Sequence, residues 1–252
     1  MLSAARRQLA ESGAAALSVR AVARELGMAS SAVYRYVATR DELLTALIVE
    51  AYDSCADAVE SACAPAPGRT PRDRFTSGCR AVRGWALAHP HEYALVHGSP
   101  VPGYRGDERT TAAGSRAPLA LLAVLADAAA GRASGAEAPG ATSSPADAAG
   151  ERLKKAKKSD RPKKPGAHDG AGTLRVRPLA PLLEEHAGRV VAAGGEPLRG
   201  LAPEVVVAGA RAWTALLGLV SSELFGQLAN TFDPADAFSE AVVEAIADDL
   251  GL

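Results

Sequence analysis

The sequence predicts an all-α protein in two parts, a small N-terminal helical unit and a larger C-terminal one. Apolar residues recur three and four apart through most of the chain, the period of a helix with one buried face. Alanine, the strongest helix former, is abundant, while aromatic residues are 4% of the 252 positions. The length suits two domains, drawn here as residues 1–50 and 51–252.

The first helix is expected within MLSAARRQLAESGAAAL, where Leu2, Ala5 and Leu9 share a stripe and Gly13 stands just past the end. Ser18 is a suitable N-cap for a second helix, in which Val22, Ala23 and Leu26 form an apolar face. Gly27 follows, where a left-handed cap suits glycine. A third helix begins near Ser30 with Val33 and Val37 directed inward. Its outward side starts with Ser30, Ser31 and Ala32, small residues that let a backbone approach closely, and continues with Tyr34, Arg35 and Tyr36. Two short helices around a glycine turn form the helix-turn-helix layout, whose second helix enters the DNA major groove. Residues 1–40 carry Arg6, Arg7, Arg20, Arg24, Arg35 and Arg40 against Glu11 and Glu25, a local net of +4 in a chain of net charge −1. A basic face on a near-neutral protein is the footprint of phosphate contact. Thr39 and Asp41 then open a long helix with Leu43, Leu44, Leu47, Ile48 and Ala51 facing inward.

Taken together, SVRAVARELGM, AVYRYV and TRDELLTAL resemble the N-terminal domain of the TetR family of transcriptional regulators over about the first 55 residues. The Leu-Gly turn, the Tyr-x-Tyr and the acidic-Leu-Leu after a basic residue stand at the family's spacing. Two departures stand out. The family usually has a polar arm before the first helix, whereas this chain starts inside it. Ala29 also occupies the place where the family often has a Ser or Thr cap, so Ser30 is expected to take that role with a shifted helix start. The resemblance implies base contacts from Arg20, Ser30, Ser31 and Ala32, and phosphate contacts from Ser18, Tyr34, Tyr36 and Arg40. It also implies a homodimer on a palindromic operator, released by a small-molecule effector. Its two heads would sit about 34 Å apart in successive major grooves.

The C-terminal part reads as a helical ligand-binding and dimerisation domain. After a Pro- and Gly-rich loop at 65–71, Arg72 to His89 is a helix with Phe75, Cys79, Val82 and Ala86 on one side. Pro90 ends it, and a short helix closes at Gly98. Ser115 to Ala130 is another helix. Residues 131–172 break the pattern. They lack aromatics and hold all six lysines, from Lys154 to Lys164, so this insertion reads as disordered and solvated, with a DNA-phosphate tether as the alternative. A helix through Leu182, Ala187 and Val191 follows. The next begins at Pro203 and is apolar nearly all round. Its face Val206, Ala210, Trp213, Leu217, Val220 and Leu224, joined by Val242 of the last helix, is the candidate dimer interface. The last helix, Asp236 to Leu250, turns Phe238, Ala241, Val242, Ala245 and Ile246 inward. Its acidic stripe Asp236, Glu240, Glu244 and Asp248 reads as a solvated face.

Phe75, Trp85, Tyr93, His97, Trp213 and Phe225 are the candidate effector-binding residues. The expected partners are double-stranded DNA, an effector and a second copy, with no membrane, cofactor or metal. His89, His91, Glu92 and His97 match no metal motif, and Cys55, Cys63 and Cys79 read as reduced buried thiols of a cytoplasmic protein. The polar N-terminus is unlike a signal peptide, and Arg211 interrupts the longest apolar run. With no phosphate-binding glycine loop, zinc motif or nucleophile elbow, the chain reads as a regulator rather than an enzyme. A DNA-binding protein without an effector, and an interaction module that has lost DNA binding, are the alternatives.

Overall fold

The computed structural model describes residues 1–136 and 181–252, and the described residues contain helices and no strand. The order is α1 (Leu2–Ser12), a 3₁₀ turn (Ala14–Ala16), α2 (Val19–Glu25), α3 (Ser30–Val33), α4 (Arg40–Cys63), α5 (Pro71–Ala88), α6 (Pro90–His97) and α7 (Glu108–Ala136). The chain continues with α8 (Pro181–Gly194), a 3₁₀ turn (Glu196–Leu198), α9 (Pro203–Leu224) and α10 (Asp236–Asp249). The insertion predicted over 131–172 begins inside α7, which stays helical to Ala136; the rest of it lies outside the described residues.

Local chemistry sets these boundaries. The Ser18 hydroxyl accepts from the Ala21 N–H and caps α2. Thr39 accepts from the Glu42 N–H, while the Glu42 carboxylate accepts from the Ala38 N–H, so α4 starts at Arg40. Thr70 and Asp73 form a reciprocal capping box on α5. Asp107 accepts from the Arg109 N–H at 2.9 Å, which starts α7 seven residues before the predicted Ser115. Pro118 inside α7 has no N–H to give to Gly114, so the helical ladder is interrupted there.

Two cores meet on α4. Leu43, Leu44 and Leu47 close the head over Ala5, Val22 and Val33; Ala51, Cys55 and Val59 belong to the larger body. Tyr104 joins the two, packing on the head core and hydrogen-bonding Thr45 at 2.8 Å. In the body, α5, α7 and α9 pack around Phe75, Cys79, Leu121, Leu122 and Leu216. Helices α7 and α9 are long and apolar enough to cross a membrane, and here they pack against each other in this core.

Two faces differ from expectation. On α9, Val206 and Val220 are 5% and 0% exposed, inside their own protomer, and Trp213, Leu217 and Leu224 pack against the same core. Val206 and Val220 are therefore core residues, while Trp213, Leu217 and Leu224 are only half-buried and Ala210 is exposed. What α9 exposes is Ala210, Arg211, Thr214, Ala215 and Gly218. On α10 the buried residues are Ser239, Val243, Ile246 and Ala247, while Ala241 and Ala245 are exposed and Phe238 and Val242 are half-buried. The predicted inward face is thus off by about one residue, or 100° of helix. The acidic stripe stays largely exposed, as expected, but its carboxylates also pair with the arginines of α5. Arg72 reaches Glu244 and Asp248, Arg80 reaches Glu240 and Glu244, and Arg83 reaches Asp236.

Candidate nucleic-acid interface and internal cavities

Of the candidate DNA contacts, Ser18, Arg20, Tyr34 and Arg40 lie together on the head. Leu26 is the C-cap of α2 and Gly27 follows at φ +66°. The Met28 N–H donates to the Ala23 carbonyl and the Gly27 N–H to that of Arg24, a Schellman closure that turns the chain into α3. Leu26 is 37% exposed instead of lying on the predicted inner face. The Ala29 carbonyl accepts from the N–H groups of Ala32 and Val33, so Ala29 itself holds the cap position and Ser30 is the first helical residue. The expected shift of the helix start does not occur. Helix α3 is short, and turn-type bonds carry the chain on to Val37.

Val33 and Val37 are buried as expected, which leaves Tyr34 and Tyr36 at 41% and 74% exposure. Ser18, Arg20, Tyr34 and Arg40 line one cleft of about 290 Å³ together with Thr39. The N-termini of α2 and α4 both lie at this cleft, and helix N-termini favour anions. Among the described residues, exposed Arg20, Arg24 and Arg35 form no ion pair. Arg6 and Arg7 are engaged by Glu50 and Glu25.

Arg40 has a structural role that the sequence does not show. Its Nε donates to the Leu17 carbonyl at 3.1 Å, and its Nη2 to those of Ala14 and Ala15 at 2.9 and 3.2 Å. It is a clamp between the start of α4 and the 3₁₀ turn, and it also lines the cleft. No sequence pattern marks a carbonyl acceptor 26 residues away.

The head surface and the helical body behind it match known regulators. Residues 1–47 match the family described as bacterial regulatory proteins, tetR family, and residues 75–246 match the tetracyclin repressor-like C-terminal domain. The chain belongs to the TetR family. The HTH-type transcriptional regulators Rv1816 of Mycobacterium tuberculosis and Mb1846 of Mycobacterium bovis are each 54% identical to it over 107 residues, 42% of this chain. That stretch spans 46% of each relative, about half its length. The solved structure of the regulatory protein SCO4313 shares 29% identity at a TM-score of 0.61, covering 99% of this chain and 92% of its own.

In this TetR-family chain the six candidate effector residues divide three ways. Trp85 and Tyr93 are core: the Trp85 indole N–H donates to Ser54 Oγ, and the Tyr93 hydroxyl lies 2.8 Å from Ser221 Oγ. Phe75 and Trp213 line a cavity of about 350 Å³ between α5, α7 and α9. His97 and Phe225 line a hollow of about 1000 Å³ at the junction of head and body, whose opposite wall includes Ala14 and Ala15. A third hollow, of about 640 Å³, lies between α8, α9 and α10 and includes His186, Arg211 and Asp249.

The two inner spaces are linked by rings. His97 sits edge-on to Trp213 at 6.3 Å and against Tyr52 and Tyr93 at 5.8 and 5.0 Å. Burial among them pulls its pKa down to about 4, so the ring is neutral at pH 7. The C-terminal end of α6 would favour an imidazolium by about 0.3–1 kcal/mol, too little to offset that burial. The three cysteines are buried, and burial pushes the thiols of Cys55 and Cys79 up to about 12. Among the described residues no cluster of His, Cys, Asp and Glu could hold a metal.

Proposed function

We propose that this chain is a cytoplasmic, ligand-responsive regulator that binds a palindromic operator as a homodimer and lets go when an effector binds its body. The observation that carries the reading is the cleft at the N-termini of α2 and α4, with Ser18, Arg20 and Tyr34 around it and three unpaired arginines exposed on the same small domain. In this reading phosphate contacts there set register, while Arg20, Ser30, Ser31 and Ala32 read base edges, as the family resemblance implies. Tyr36, the most exposed tyrosine, adds a phosphate contact.

For the dimer, the support is the exposed strip of α9, with Val242 half-buried beside it on α10. Much of α9 is left exposed or half-buried within the protomer, although the helix is strongly apolar. Small residues let two copies of the helix approach closely. For the ligand response, the support is a series of neighbouring features from body to head, interrupted by one hollow. Trp213 lines the inner cavity and touches His97 of α6; the hollow beside His97 is walled by Ala14 and Ala15, whose carbonyls hold Arg40 at the DNA-facing cleft. An effector preferring a body with α6 displaced would shift the heads away from the spacing the operator requires.

A mobility-shift assay at low salt on the DNA upstream of the chain's own gene tests the reading. Retardation by a species that sediments as a dimer is expected. Failure to retard any promoter fragment would overturn it.

A further inference from the structure

Three hollow spaces of the body differ in charge. The junction hollow carries His91 and His97, and the hollow between α8, α9 and α10 carries His186, Arg211 and Asp249. Among the described residues, the 350 Å³ cavity between α5, α7 and α9 has no Asp, Glu, Lys, Arg or His at its wall. Its hydroxyls are already committed: Ser115 donates to the Ala112 carbonyl at 2.8 Å and Thr214 to the Ala210 carbonyl at 2.9 Å. The Trp213 indole N–H has no hydrogen-bond partner among the described residues. The rest of the wall is aliphatic or aromatic, from Phe75, Pro118, Leu119, Leu122 and Leu125.

We infer that this cavity is a site for an uncharged, hydrocarbon-rich small molecule carrying at most one or two polar atoms. The inference rests on the sensor reading above and names the class of effector. A charged group held among these apolar side chains would lose its hydration with no countercharge on the described wall, a loss that disfavours carboxylates, phosphates and ammonium compounds. Size follows from volume. A dry 150 Å³ cavity holds benzene, so 350 Å³ holds about a dozen non-hydrogen atoms. The space persists because its surroundings cannot close on it. A Cβ at Gly209 would stand 2.9 Å from Leu122 Cδ1, so α9 already touches α7 at that end. A Cβ at Gly78 would meet Leu121 at 2.7 Å, so α5 is equally close on the other side.

Calorimetry on the full chain with 1-decanol, decanoate and decyltrimethylammonium, each below its micellar concentration, compares one chain length in three charge states. 1-Decanol is expected to bind, and both ions to bind at least tenfold more weakly. In a Trp85→Phe variant, where Trp213 is the remaining indole, 1-decanol should shift the emission. Leu119→Phe fills the cavity from a half-buried position and should weaken 1-decanol at least tenfold; if it fails to fold, Ser115→Phe gives the same readout. Tighter or equal binding of either ion overturns the inference. So does failure of 1-decanol to bind up to its solubility, or unchanged affinity in the folded filled variant. DNA retention separates the two readings. If 1-decanol binds here without releasing DNA, the chemistry of the cavity stands and the sensor reading falls. If a charged probe binds and releases DNA, the sensor reading stands and this inference falls.

Discussion

Head and body use arginine in opposite ways. In the head, Arg20, Arg24 and Arg35 stand exposed without a carboxylate. In the body, Arg116 of α7 is held by Asp53, Asp57 and Glu60 of α4 at 2.6–2.8 Å, and Arg72, Arg80 and Arg83 of α5 are each held by two carboxylates. The residue type is the same, but its electrostatic output is not. A paired arginine joins two helices and presents little field, whereas an unpaired one keeps its charge for a partner outside the chain. The overall charge of −1 conceals this division. The body extends the rule to its titratable interior, keeping His97 and the thiols neutral.

The largest test of that difference is acidification. His97 has a pKa of about 4 in the folded chain against 6.5 ordinarily, so between those values the unfolded state binds more protons. Stability from this group is full above pH 6.5, falls as the pH drops, and levels off near 4. The total is about 3 kcal/mol. Urea titrations at pH 7, 5.5 and 4.5 should show the loss, and His97→Phe should flatten it; an unchanged slope in the variant would show that His97 is not held neutral by burial. Next in size is Arg40→Ala, which removes a charged donor from three carbonyls and should cost about 2 kcal/mol. Because Arg40 is shared between clamp and cleft, DNA affinity should fall for all sequences alike. A variant that unfolds normally but binds more weakly would return Arg40 to the unpaired class.

The head was legible in the sequence because its determinants are local. Ser18, Gly27 and Thr39 act within three or four residues of themselves, and Val33 and Val37 mark an inner face that the structure keeps. The body was legible as helices but less so as faces. The acidic stripe of α10 reads as solvated, and it is largely exposed, but its pairing with α5 was not legible, since Arg80 is 160 residues from Glu240. Likewise α9 is apolar on two sides, and pattern alone does not say which side faces the protomer; the structure turns Val206, Ala212, Leu216, Leu219 and Val220 into the core. Asp107 did carry a signal, an acidic residue four before Thr111 at the head of an alanine run, but Gly114 and Pro118 masked the helix behind it.

Smaller effects sharpen the contrast from each side. Arg20→Ala should leave stability within about 0.5 kcal/mol, as expected for an exposed residue without a partner. It should cost about 1–3 kcal/mol of discrimination at a single base pair, read by mobility shifts on single-base operator variants. Equal weakening on every variant would make Arg20 a phosphate contact instead.

The smallest effect is expected at Glu240→Gln. Glu240 accepts from Arg80 at 2.9 Å on the open edge between α5 and α10, and that pairing holds its carboxyl below the usual range. Both side chains are about half exposed, so water and salt screen the attraction and the loss should stay below about 1 kcal/mol. Arg80 also keeps Glu244 at 2.9 Å, so its charge remains compensated in the variant. Thermal melts at low and high salt give the test. A small destabilisation that vanishes in high salt means the ladder orients α10 while Val243, Ile246 and Ala247 hold it in place. A loss of several kcal/mol that persists in salt would mean that paired arginines are what keep the body together, and the contrast with the head would become one of stability as well as of charge.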